Sequence, residues 1–429
     1  MGNFKKKNFI FLFVGFFIFL TTISFAIGNK YQNAINALYA KNLIGIHNLA
    51  LLIKNGKNVD FSFAKPEKPT EKENIIPAKI LSKTLENPPA IIKAVYVTGW
   101  SAGSKKYLNY LENLFKTTQI NAVVIDIKDY SGTISYTTKA KKAQEYNTYQ
   151  NQIPDIGDLI NRLHNQKIYV IGRITVFQDP LLAKNRPDLA IYDTQKTNNP
   201  EQPIAWENNN GLAWVDPASK EVWDYNIEIA KDAISYGFDE INFDYIRFPS
   251  DGQESNMGFP FWDQKTPKNF VIKKFFQFLR ESLPDTVISA DVFGQVTTST
   301  DDMGIGQILE DSLAHFNYIY PMIYPSHYAK GFLGYQNPAD HPYQIVKNSM
   351  DSALNRVNVY TKIYTKNNDQ IKIAKIRPWL QDFNLGATYS KDMVMQEIKA
   401  VSDAYGADFN GYLLWNASNT YTQDAIIKE

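Results

Sequence analysis

The sequence predicts a (β/α)8 TIM barrel preceded by an export signal or membrane anchor and a linker. From Ala94 onward, short β-branched or aromatic runs alternate eight times with longer amphipathic segments, the pattern of parallel strands joined by crossover helices. Single carboxylates close several of those runs, at the strand ends where barrel enzymes carry their functional groups. No Gly-x-Gly-x-x-Gly or phosphate-loop motif follows any run, which disfavours an open doubly wound sheet.

In chain order, Lys5, Lys6 and Lys7 precede a Phe/Ile/Leu-rich run at 9–20 that weakens toward Ile27, the charged and apolar regions of an export signal. Ser24, Phe25 and Ala26 form a small-x-small cleavage pattern, while the run also approaches the roughly 20 residues that span a bilayer. Residues 1–27 are therefore a signal peptide or a membrane anchor, and they are the only membrane contact expected. The remainder is extracytoplasmic, secreted or anchored by that segment. Residues 28–90 combine a helical candidate at 31–54 with a stretch rich in proline and charge, read as a linker. Residues 91–429 are left for the barrel, enough for a fold that uses about 250.

The eight strand candidates centre on 94–98, 122–127, 168–174, 240–246, 287–292, 318–323, 376–381 and 411–415. Helical candidates at 106–115, 156–165, 220–236, 268–281, 343–355 and 391–405 place apolar residues near i, i+3 and i+4. Asp216 and Pro217 supply an N-cap and first-turn pair for the third of these. Only about one helical turn fits after Trp415, a gap that segment 31–54 is expected to cover. The long stretch 175–215 reads as a cleft-building loop or a packed insertion.

Composition excludes several functions. Forty-five basic residues balance 44 acidic ones, without a basic run past the N-terminus, so nucleic acid is not an expected partner. There is no cysteine, and the five histidines lack His-x-His or His-Glu-x-x-His spacing; no metal and no cofactor are expected. Aromatics make up 14% of the chain, more than a compact core needs, which leaves some for a binding surface.

Alternate strand residues face a barrel's axis. Glu240, Asn242 and Asp244 share one parity and Ile241 and Phe243 the other, so the polar set points inward, with Asp244 nearest the active end. Asp126 closes the second strand and Asp291 the fifth, each after an apolar run. Three carboxylates converging beside apolar strands need a cation, and Arg173 at the end of the third strand is placed to be it. Tyr320, Tyr324 and His327 on or beyond the sixth strand, Trp379 on the seventh and Trp415 on the eighth complete a ring suited to sugars, which present apolar C–H faces and polar edges.

The run Gly237-Phe238-Asp239-Glu240-Ile241-Asn242-Phe243-Asp244-Tyr245-Ile246-Arg247-Phe248-Pro249, with segments 96–100, 124–129, 320–328 and 377–383, resembles the bacterial "putative glycosyl hydrolase" family first catalogued as a domain of unknown function. The likeness covers about 94–415 and implies a glycosidase-like barrel. By similarity with the wider α-amylase-like barrels, Asp244 holds the nucleophile position and Asp291 the acid/base position, an Asp where a Glu is usual. The expected protein is a glycoside hydrolase acting on a cell-wall or extracellular polysaccharide through paired carboxylates. Asp244, Asp291 and Asp126 are its catalytic candidates, and Arg173, Asn242, Tyr320, Tyr324, His327, Trp379 and Trp415 bind substrate. Its alternatives are a non-catalytic polysaccharide-binding envelope protein and a carboxylate-held Mg2+ or Ca2+ deacetylase or phosphodiesterase.

Overall fold

A computed structural model describes residues 84–366 and 372–428. The signal or anchor at 1–27, the helical candidate at 31–54 and most of the linker lie outside the described residues. Of the described residues, 84–358 and 372–428 belong to one compact unit, and 359–366 are assigned to another. The barrel lies in the first of these.

Its strands are β1 (Ile92–Val97), β2 (Ala122–Lys128), β3 (Tyr169–Thr175), β4 (Glu240–Asp244), β5 (Ile288–Phe293), β6 (Tyr318–Ile323), β7 in two pieces (Lys375–Ile376 and Trp379–Gln381) and β8 (Gly411–Trp415). Each pairs in parallel with its sequence neighbours, and β8 returns to β1 through Leu413↔Ala94, which closes the sheet. The seventh strand is expected to be continuous but breaks at Arg377 and Pro378, where proline brings no N–H to the ladder.

The principal connecting helices are α1 (Lys105–Thr117), α2 (Ile156–His164), α3 (Lys220–Ser235), α4 (Lys268–Ser282), α5 (Leu309–Leu313), α6 (Pro342–Lys366) and α7 (Lys391–Tyr405). Amphipathic spacing makes them: α1 buries Leu111, Leu114 and Phe115, each worth roughly 1.5–3 kcal/mol when fully withdrawn from water. Ser104, Asp155 and Ser390 accept the orphan N–H groups that start α1, α2 and α7. The cap of α3 is Ser219, not Asp216. Asp216 is buried and accepts from the amides of Ala218, Phe261 and Trp262 at 2.7–2.9 Å, so it ties two loops together.

After β8, residues 416–428 pack back against the barrel. Tyr421 and Ile426 are buried, Gln119 donates to the Ile426 carbonyl at 2.8 Å, and Thr118 bridges to Ile427. The 175–215 stretch is largely packed: Trp206 and Trp214 are buried, and a short antiparallel pair joins Tyr192–Asp193 to Met257–Gly258. Inside the barrel, Ala94, Tyr96, Val124, Ile171, Tyr320, Trp379 and Leu413 form one cluster, while Val95, Val97, Val123 and Ile125 bury the opposite parity. That alternation aims Asp126, Arg173 and Asn242 inward.

Candidate active site

Register places the acids. Asp126 is level with Arg173, Arg173 with Asn242, and Thr175 with Asp244. Phe243 is level with Ala290, so the next residues, Asp244 and Asp291, stand side by side. Arg173 reaches all three acids: Nη1 lies 2.6 Å from Asp126 Oδ1, Nη2 2.5 Å from Asp244 Oδ2, and Nε 3.1 Å from Asp244 Oδ2 and 3.7 Å from Asp291 Oδ2. Tyr96 donates its hydroxyl to Asp126 Oδ2 at 2.5 Å. Asp291 Oδ1 accepts from Trp379 Nε1 and from Asn242 Nδ2, both at 2.9 Å, while its Oδ2 has no hydrogen-bond partner. Asp244 Oδ1 accepts from the Tyr245 amide at 2.6 Å.

One cation among three buried carboxylates cannot keep all of them charged at ordinary cost. Burial, then the nearby charge of Asp244, holds Asp291 well above the usual carboxylate range. Burial lifts Asp126 to about 6 against the pull of Arg173. Burial works against the charge of Arg173, but Asp126 and Asp244 outweigh it. Asp244 Oδ2 accepts from two N–H groups of that guanidinium, charge-assisted bonds that fix the carboxylate beside Asp291. The site therefore sets a carboxylate bonded to Arg173 beside Asp291, which burial and that neighbour push toward protonation.

Arg173, Asp244 and Asp291 open onto a cavity of about 410 Å3 also lined by Tyr324, His327 and Trp415. Trp415 is half-buried and stacks on Tyr96 with centroids 4.0 Å apart, and the Arg173 guanidinium sits 5.2 Å from the indole. His327 is exposed and edges onto Tyr324 at 5.2 Å. Other sequence candidates sit away from the cavity surface. Trp379 is fully buried and turns its N–H to Asp291; it has no free face for a sugar and acts as a positioning residue. Tyr320 is also fully buried, bonded to Glu240 and Arg377 deeper in the barrel. Asn242 and Asp126 are buried supports of Asp291 and Arg173. Among the described residues no group of His, Cys, Asp and Glu is placed to hold a metal ion.

Residues 94–421 match the model of a family described as "Putative glycosyl hydrolase domain". The chain belongs to this family. Among solved structures it is similar to a hypothetical protein from Ruminiclostridium thermocellum, with 36% identity over 49% of this chain and 98% of that one and a TM-score of 0.42. It is also similar to the α-galactosidase TtGalA from Thermus thermophilus, with 13% identity, 79% of this chain, 61% of that one and a TM-score of 0.45. Amy13B of Eubacterium rectale gives 12%, 77%, 67% and 0.43 in the same order. No curated protein matches.

In this glycosyl hydrolase-type domain the sequence reading missed part of the cavity wall, namely Tyr245, Arg247, Phe293, Gln295, Met322 and Tyr328. The signal was lost after Asp244. Tyr245 has φ 52°, a left-handed conformation that costs a bulky residue about 1 kcal/mol or more, and it ends the period-2 count that had assigned faces up to that point. Gly294 permits the close approach of Met322 and Tyr328, since a Cβ there would meet the Met322 carbonyl oxygen at 2.5 Å and the Tyr328 hydroxyl at 2.7 Å.

Proposed function

We propose that the domain hydrolyses glycosidic bonds of a cell-wall or extracellular polysaccharide, with Asp244 as nucleophile and Asp291 as acid/base. The observation that supports this most is the shared Arg173 Nε, 3.1 Å from Asp244 Oδ2 and 3.7 Å from Asp291 Oδ2. It bounds the two oxygens to less than about 7 Å apart, compatible with the about 5–5.5 Å spacing of a retaining pair and with only the short end of the inverting range. In the first step Asp291 gives its proton to the leaving oxygen, the C–O bond breaks with its electron pair on that oxygen, and Asp244 bonds to the anomeric carbon. In the second, water attacks that carbon, Asp291 takes a proton from the water, and Asp244 leaves as the carboxylate. Asp126 and Tyr96 hold Arg173 in place, and Trp415 and Tyr324 offer ring surface to the sugar. The lysines and apolar run at the N-terminus support a place outside the cytoplasm, secreted or anchored.

The second reading, a polysaccharide-binding protein without catalysis, is favoured by one feature: all three acids are nine-tenths buried and tied to Arg173, as in a structural network. Reducing-end release from a panel of wall and extracellular glycans separates the two. We expect release by the wild type and a loss of about a thousandfold or more in Asp244→Asn, with melting close to wild type because Arg173 keeps Asp126. Glycans retained but never cut by the wild type would establish the binding reading. Undiminished hydrolysis in a stable Asp244→Asn would remove Asp244 from catalysis.

A further inference from the structure

Arg247 is a cation in the cavity wall that the hydrolytic chemistry leaves unused. It is only 7% exposed and lines the same cavity as Asp244 and Asp291. Its Nη1 donates to the Phe248 carbonyl at 2.9 Å and to Ser250 Oγ at 3.2 Å, while Nε and Nη2 meet no acceptor among the described residues. The acids that act on it, Asp244 and Asp251, do so from beyond ion-pairing distance. Its guanidinium lies 4.5 Å from the ring centre of Phe293, 4.8 Å from Trp214 and 5.5 Å from Tyr245, so aromatic faces surround the cation and fix its plane.

Other withdrawn arginines differ. Arg173 and Arg377 pair with acids, and Arg280 spreads its N–H groups over the carbonyls of Leu283, Pro284, Thr286 and His315 and the amide of Asn317. Burying an unpaired cation is costly, and burial indeed lowers the pKa of Arg247. The open Nε/Nη2 edge is the one by which Arg173 grips Asp244; it presents two N–H groups to one planar acceptor.

We propose that Arg247 recognises an acidic sugar, so that the glycan bound in this cavity carries a carboxylate on the residue held beside the Asp244–Asp291 pair. The assignment rests on the glycosidase reading for the cavity's role and extends it to the substrate class. A singly charged planar carboxylate fits the open edge, whereas a phosphate or sulfate would bring more negative charge or a tetrahedral acceptor to a site that already holds two aspartates.

The test measures binding of the full chain to acidic oligosaccharides, namely oligogalacturonate, alginate and hyaluronan fragments, each against its carboxyl-reduced neutral twin, with a sulfated galactan as a further arm. Wild type should bind at least one acidic member about ten- to a hundredfold more tightly than its twin. Arg247→Met should abolish that preference while leaving affinity for the neutral twin unchanged. Arg247→Lys, which keeps the charge and stem but not the fork, should retain only part of it, and decides the matter if the Met variant does not fold. Equal binding of every acidic glycan and its twin, absence of binding to any acidic member, preference for the sulfated chain, or a preference that survives in Arg247→Met would overturn the proposal. Acid-selective binding without release of reducing ends would remove the glycosidase reading and leave this one standing; cleavage of neutral glycans with no acid preference would do the reverse.

Discussion

The barrel contains two buried arginine–carboxylate layers, and they differ in stoichiometry. In the deeper one, Arg377 lies 3.7 Å from Glu240 and donates to Tyr320 at 2.8 Å, Tyr320 and Tyr169 donate to Glu240, and the guanidinium sits 3.8 Å from the ring centre of Tyr318. One cation meets one acid in a site sealed by aromatics. In the upper layer one arginine meets three acids, and the site opens on a cavity. Burial is nearly equal in the two, so burial does not distinguish a structural layer from a chemical one. The excess of carboxylate does, because it forces protonation states apart.

Replacing the two arginines in turn tests this contrast most strongly. Arg173→Met should lower glycan turnover by about a thousandfold or more, since Asp244 loses the two N–H groups and the cation that hold it in place. Arg377→Met should instead cost roughly 3–5 kcal/mol of stability, by leaving Glu240 without its counter-charge, with turnover per folded molecule unchanged. Denaturant titration beside initial rates reads both. Lost turnover without lost stability in Arg377→Met would show that the lower layer also belongs to the chemistry.

A smaller effect is read by pH within the upper layer, since burial raises Glu240 in the lower one as well. Asp126 is raised from 3.8 to about 6 in the folded protein, so the native state holds a proton that the unfolded chain releases. Its contribution to stability is complete below pH 3.8 and is lost as pH rises through about 6. Asp126→Asn should flatten the fall in unfolding free energy across that window by roughly 3 kcal/mol. An unchanged slope would mean that Asp126 stays ionised on Arg173.

The smallest expected effect concerns Trp379, whose N–H favours the charged form of Asp291. Trp379→Phe should raise the Asp291 pKa further and move the alkaline limb of the pH–rate profile upward, by about one unit or less. An unmoved limb would make the indole a packing group only.

The alternation of Glu240, Asn242 and Asp244, the acids closing β2 and β5, and the basic end of β3 were legible in the sequence because a strand's period is local. Asp126, Asp244 and Asp291 converge on Arg173, with Asn242 bonded to Asp291, whereas Glu240 faces the axis one layer deeper and meets Arg377. Depth was not legible. Tyr320 and Trp379 share the inward parity of the site, yet the register that sets Asp291 beside Tyr320 and Trp379 beside Met322 and Leu413 buries both rings within the barrel. How far along the axis a residue lies depends on the stagger between strands, a property of the closed sheet and of no single segment. The sequence by itself determined which residues face the axis, through the steric alternation of each strand. Only the closed barrel, together with the left-handed turn at Tyr245 that brings Arg247 to the cavity wall, decided which of them a ligand can reach.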